Sequence, residues 1–332
     1  MALGLLIIAL VIILLGAEVF TNALEHLGER LKISEGVTGS LFAAVATALP
    51  EAMVPVIAIL TGSAHAELSA QVGVGAILGA PMMLSSLTLF LMAGFAAHRR
   101  GWGGILKPEH SGIYRDLFWF LLAFSLACTA AFMPHTKLVR GLFVAILILL
   151  YIGYLIVTLR ASKKLVTQGH GTEADHPLFL SRLRLPTTIP VVVVQLALGF
   201  AFIAMGTKGF VHGIESLSDS LGMSPLVLSL LIIPVATELP EKINSILWIR
   251  RARDTLAFGN ITGAMVFQGT LLPALGIGLT PWEPRREVLV GMALTLLASG
   301  YVFTLVARRI TLRPYYFIVN GACYVAYFLF LI

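Results

Sequence analysis

Two stretches of this chain repeat one another: V-A-T-A-L-P-E, ending at Glu51, and V-A-T-E-L-P-E, ending at Glu241. Each falls within an apolar run. Proline has no N–H, and its ring disturbs the preceding helical turn. The carbonyls of Ala46 and Ala236, four residues before Pro50 and Pro240, therefore lose their helical donors. An unsatisfied carbonyl in lipid is costly unless something else binds it, and a cation does so. A glutamate follows each proline, and Thr47 and Thr237, four residues before the glutamates, share roughly the same helical face. Each copy thus offers a carboxylate, a hydroxyl and freed carbonyls. Two such sets facing each other supply the roughly six to eight oxygens that calcium takes at about 2.3–2.6 Å. Two carboxylates in a low dielectric do not both stay ionised without compensation. A divalent cation, monovalent cations or protons must accompany them, and competition among those ligands is the physical basis of exchange. A carboxylate inside a span marks function by default. A purely structural pairing of Glu51 and Glu241 with neighbours does not account for their duplication at two proline breaks.

Other charged residues have two readings each. Glu238 is either an extra ligand, three residues from Glu241, or the partner of Lys242 in the favoured Glu-before-Lys order at i,i+4; the ion pair is the preferred reading. Lys242 turned toward Glu241 instead is a built-in cation. Glu18 and Lys208 occupy equivalent repeat positions, and a bridge between them would couple the first and sixth spans; the alternative is that each snorkels separately. His65, Glu67, His212 and Glu215 fall near span ends and read as interfacial. His98, His110, His170 and His176 sit in basic loops without metal spacing.

These residues must be positioned by membrane-spanning helices. The chain has 332 residues, of which 58% are hydrophobic and 12% charged. Soluble domains carry about a quarter charged residues, so a water-exposed surface is excluded and the class is all-α integral membrane. Ten segments have the roughly 20 apolar residues a span needs: 2–24, 36–61, 70–96, 115–133, 138–159, 188–212, 224–249, 256–279, 286–307 and 314–331. The first is too long for a signal peptide. Cys128 and Cys323 form neither a disulfide framework nor a metal motif. The aspartates Asp116, Asp175, Asp219 and Asp254 all read as lying away from the depth of a span. The net charge of +6 reflects loop bias, not a nucleic-acid footprint. One set of loops carries Arg30, Lys32, Arg99, Arg100, Lys107, Arg115, Arg160, Lys163, Lys164, Arg182, Arg184, Arg250, Arg251, Arg253, Arg308, Arg309 and Arg313. The opposite set carries Lys137, Arg140, Arg285 and Arg286. The positive-inside rule makes the first set cytoplasmic, with both termini outside the cell membrane.

A shift of 190 positions superposes the segment from Gly16 on that from Gly206 without a gap, pairing Glu25 with Glu215, Thr47 with Thr237, Pro50 with Pro240 and Glu51 with Glu241. A later match pairs GAILGA from Gly75 with GNITGA from Gly259. The glycines of these two stretches suit close helix packing and have no phosphate-loop context. Five spans per half is an odd number, so the second half enters the membrane the other way round. The expected organisation is a first five-helix repeat at 1–160, a cytoplasmic linker at 161–187 and a second, inverted five-helix repeat at 188–332. Transporters built so bind their substrate near the midplane, at the repeat interface.

The two proline motifs and the paired glycine motifs resemble those of the cation/calcium exchanger superfamily, whose second and seventh helices carry a G-T-S-L-P-E-like signature. The third and eighth helices of that superfamily carry a G-N-x-x-G-S-N-like signature. The resemblance implies ten spans, Glu51 and Glu241 as central cation ligands with Thr47 and Thr237 beside them, and a first and sixth helix that slide as a unit. Several positions depart from the pattern. Ala48 and Glu238 replace the serine after each threonine, and Ala76, Ala80 and Pro81 replace polar residues of the third helix. On the eighth helix Asn260 is kept, whereas Ala264, Met265 and Gln268 replace polar or acidic residues. The central pair survives; sodium coupling is the part these changes place in question, with proton coupling and another divalent cation as alternatives. The candidate ligand set is therefore Glu51, Glu241, Thr47, Thr237, Ala46, Ala236, Glu238 and Gln268. The expected partners are inorganic cations and the lipid bilayer, with no cofactor, no nucleic acid and no covalent chemistry. Protease and serine-nucleophile motifs are absent from the sequence. A cation sensor without transport is the other class, and flux separates the two.

Overall fold

The structure is a computed structural model that describes residues 2–31, 66–134, 136–167, 174, 176–202, 205–206, 230, 238–283 and 285–331. Within these residues all regular structure is helical. The helices are α1 (Ala2–Arg30), α2 (Ala66–Met83), α3 (Leu89–Arg100), α4 (His110–Ala130), α5 (Lys137–Thr167), α6 (Ile189–Phe202), α7 (Leu239–Arg250), α8 (Asp254–Leu279), α9 (Arg286–Ala307) and α10 (Ile318–Leu331). A π-helical turn, Leu84–Thr88, joins α2 to α3, and short 3-10 turns occupy Phe179–Leu183 and Pro314–Phe317. Six of the described helical runs are long and apolar enough to cross a membrane. The expected span 36–61 and most of 224–237 lie outside the described residues.

Several observed helices start or end beyond the expected apolar segments, because polar end turns cap a helix where it leaves the lipid. The fourth span shows the cause. Glu109 caps α4 through its carboxylate, which accepts the N–H groups of Ser111 at 2.8 Å and Gly112 at 2.6 Å. The helix therefore begins at His110, not at 115, and Arg115 is a buried helical residue and not a loop charge.

α8 is the central pillar, packed against α2, α4, α5 and α7. In its most apolar stretch 83% is buried, against 22% for α5 at the periphery. Lipid is as apolar as a leucine side chain, so close packing and polar contacts hold such a bundle together. Gly269 lets α8 approach α4: a Cβ there would lie 2.7 Å from Phe120 Cδ2.

Hydrogen bonds assign the loops to two ends. At one end, Leu106 donates to the Leu312 carbonyl at 2.9 Å, and Arg99 to the Arg250 carbonyl at 2.9 Å. Arg100 grips both oxygens of Asp254 at 2.7 Å each, and the Lys107 N–H adds a third bond at 2.7 Å. Arg30 donates to Thr187 at 3.1 Å, and Glu25 of α1 meets Trp248 near the close of α7. At the other end, Arg140 donates to the carbonyls of Ile277 and Thr280, and Trp282 to that of Ala127 at 3.1 Å. The described loops of the basic set thus share one end of the bundle.

α1 and α6 pack closely beside the linker. Gly199 faces the Phe20 backbone, whose nitrogen would lie 2.7 Å from an added Cβ. Gln195 donates to Asn22 Oδ1 at 2.8 Å and to the Val19 carbonyl at 3.1 Å. Asn22 also accepts from the Phe179 N–H at 3.0 Å. Glu18 is exposed on α1 and Lys208 lies outside the described residues. The described polar ties between the two helices therefore run through Gln195, to Asn22 and to the Val19 carbonyl.

Candidate cation site

The first turn of α7 carries the second V-A-T-E-L-P-E motif. The helix begins at Leu239, with Pro240 in its first turn and Glu238 at the N-cap. Proline suits that position because the first N–H groups of a helix have no intrahelical partner. Glu241 belongs to this turn; its side chain lies outside the described residues, as do Ala46, Thr47, Glu51, Ala236 and Thr237. Of the candidate ligands, the structure describes the side chains of Glu238 and Gln268, and both are fully buried.

Glu238 Oε2 lies 3.7 Å from Lys242 Nζ, the i,i+4 ion pair that the spacing anticipated. Lys242 is itself buried, and its ammonium reaches Met83 Sδ at 2.6 Å, at the junction of α2 with the π turn. The start of α7 therefore abuts the point where the third span departs from α-helical geometry. Such π turns recur at functional sites.

That turn has its own polar accounting. Pro81 cannot donate within α2, Ser85 donates to the Met82 carbonyl at 3.2 Å, and Ser86 donates to the same oxygen. Asn320 of α10 donates to the Ser85 carbonyl at 2.7 Å and to the Ala298 carbonyl at 3.2 Å. The Ser85 carbonyl thus has a partner from outside its own helix, which suits a low-dielectric interior.

α7 and α8, joined by the short turn 251–253, are tied by Asn260, which donates to Ser245 Oγ at 3.0 Å. Counting back seven residues along α7 and forward eight along α8 moves roughly 11–12 Å in the same direction. Gln268 accordingly stands about level with Glu238. Asn244, Asn260, Ser245 and Gln268 are all fully buried. Among the described residues no group of three His, Cys, Asp or Glu side chains converges as a metal cluster.

Sequence reasoning assigned no role to three carboxylates that the bundle buries, Asp116, Asp254 and Glu25. Asp116, read as lying away from the depth of a span, is fully buried on α4. It accepts from Thr262 of α8 at 2.8 Å and Tyr154 of α5 at 3.1 Å, beside Arg115 at 3.3 Å. The signal was present in its spacing: Gly112, Asp116, Phe120 and Phe124 recur every four residues on the buried face of α4. Asp254, likewise read as shallow, is 4% exposed and held at the loop end. A surface cleft between Glu109, His110 and Arg309 also lies at that end, away from the first turn of α7.

The sequence matches a family model described as sodium/calcium exchanger protein over residues 1–160 and 191–332. It is 26% identical over 280 residues to CaxA of Alkalimonas amylolytica, provisionally named an antiporter, covering 82% of this chain and 78% of that one. It is 25% identical over 317 residues to the inner membrane protein YrbG of Escherichia coli (strain K12), covering 95% and 91%. A structure of the sodium-calcium exchanger NCX_Mj, soaked with zero Na+ and Ca2+, superposes with a TM-score of 0.71 at 20% identity over 99% and 98% of the two chains. A second, soaked with 100 mM Na+ and 10 mM Sr2+, gives 0.73 at 19% identity over 99% and 97%.

Proposed function

Because the chain belongs to the sodium/calcium exchanger protein family, a family of transporters and not of enzymes, we propose that it exchanges calcium or a similar divalent cation for sodium or protons at Glu51 and Glu241. The observation that carries this reading is the start of α7. A helix that begins at Leu239, inside the apolar stretch 224–249, presents its first turn to a buried polar layer instead of to water. Its N-terminal end favours negative charge, which suits a carboxylate at position 241 facing a cation. The duplicated motif supplies Glu51 by the same logic, with Thr47, Thr237 and the carbonyls of Ala46 and Ala236 completing the oxygens. Gln268, level with Glu238, borders the same layer.

In this reading the chain has two inverted five-helix repeats, 1–160 and 188–332, around a cytoplasmic linker at 161–187. The site opens alternately to each side as α1 and α6 move together. Charge balance fixes the logic: the two glutamates are never left without positive charge, so one cation leaves as others arrive. The name of the relative YrbG supports a place in the cell membrane, and the basic loop end supports both termini lying outside.

Flux in proteoliposomes tests the proposal. Calcium, manganese and magnesium uptake is driven in turn by sodium and by proton gradients. Glu51→Gln and Glu241→Gln each abolish uptake if the pair is the site. Divalent binding without flux under any gradient would mark a sensor instead, and a fully active single variant would refute the paired site.

A further inference from the structure

We propose that Lys242 is a tethered cation, held by Glu238, that takes the place of an alkali ion beside the transported divalent cation. This inference rests on the exchanger reading and deepens it.

The internal repeat supplies the first argument. The positions equivalent to Glu238 and Lys242 are Ala48 and Ala52, so one copy carries an acid–base pair where the other carries two alanines. Both charges are present together and they cancel, which is the pattern of a compensated insertion. The structure supplies the second argument. The pair is buried, its groups 3.7 Å apart, on the same helical turn as Glu241. The ammonium extends from α7 to Met83 of α2, so its charge rests at the contact between elements of the two halves. A lysine ammonium is a compact point charge with three donors, a close mimic of a monovalent ion bound by oxygens.

Charge counting supplies the third. Glu51, Glu241 and Glu238 carry three negative charges when ionised, and Lys242 removes one. The remaining two match a single divalent cation. An alkali ion bound in addition would overcharge a site flanked by the buried Glu238–Lys242 pair. Position 238 therefore contributes no vacancy for a mobile cation.

The test uses the full-length protein purified in detergent and saturated with calcium, so that the glutamate pair is filled, with thermal midpoints compared in sodium chloride and choline chloride at equal ionic strength. The wild type shows no sodium-specific shift. Lys242→Ala leaves Glu238 to recruit an alkali ion and gains a sodium-specific rise of about 3 °C. The double variant Glu238→Ala/Lys242→Ala, which copies the first repeat, loses that gain. An independent arm does not depend on Lys242→Ala folding. Glu238→Ala alone removes the carboxylate that balances the Lys242 charge and weakens calcium-induced stabilisation at least about tenfold in midpoint calcium concentration, and the double variant restores it; that tenfold corresponds to about 1.4 kcal/mol. A sodium-specific shift in the wild type, or a double variant no better than Glu238→Ala, overturns the inference. If no divalent cation stabilises the wild type, the exchanger reading fails, whereas the sodium response of Lys242→Ala still judges the role of the lysine.

Discussion

Trp248 donates its indole N–H to the carboxylate of Glu25 across 2.8 Å, and both side chains are almost wholly removed from solvent. The bond joins α1 to α7, the helix that opens with Glu238 and Pro240. Trp248→Phe leaves a buried carboxylate one donor short, a loss of about 1–3 kcal/mol. Glu25→Gln keeps an acceptor oxygen and costs less. Thermal midpoints of the two purified variants give the ranking, and equal losses would mean that the bond contributes nothing.

The grip of Arg100 on Asp254 joins the third span to the 251–253 turn at the basic end. Arg100 is 22% exposed at its side chain and Asp254 4%, so screening reduces but does not remove the attraction. Arg100→Ala is expected to destabilise by about 2 kcal/mol. Arg100→Lys recovers only part, because an ammonium cannot make two parallel bonds to one carboxylate. A double-mutant cycle with Asp254→Asn measures the coupling.

Gly199 has no room for a methyl group. With the Phe20 nitrogen 2.7 Å from the position of an added Cβ, Gly199→Ala forces α6 from α1. The expected loss is about 1–3 kcal/mol of stability, together with slower exchange if the two helices move as one body. Gly141→Ala, where an added Cβ meets nothing within 4 Å, is the control and leaves the rate unchanged.

Asp116 ties three helices through one carboxylate. Asp116→Ala strands Arg115, which is 8% exposed, and is expected to cost about 3–5 kcal/mol. Tyr154→Phe removes a single bond and costs about 1 kcal/mol. Because Tyr154 and Thr262 share the carboxylate, the double variant Tyr154→Phe/Thr262→Val departs from the sum of the singles. Additive losses would show that the three side chains act independently.

What the sequence revealed and what it concealed divide along physical lines. Among the described residues, span positions were legible because lipid demands long apolar runs, and some ends were not, because caps such as Glu109 extend helices past the apolar stretch. The start of α7 was legible from Pro240, which has no N–H for an interior turn. The Glu238–Lys242 contact was legible because i,i+4 spacing is local. Asp116, Arg100–Asp254 and Glu25–Trp248 were not, since their partners come from distant parts of the chain and only the packed bundle unites them. Glu51 and Glu241 were singled out by duplication, a signal that needs no three-dimensional information.

The π turn at Leu84–Thr88 fixes the azimuth of everything that follows it. One surplus residue wound into a single coil advances the downstream helix by about 100° relative to an uninterrupted α-helix. Arg100 meets Asp254 with that phase. Deleting one residue between 84 and 88 would leave composition and apolar length nearly untouched, yet rotate the far end of the third span away from its anchor. The anchor at the far end of the third span thus depends on the number of residues in one short segment.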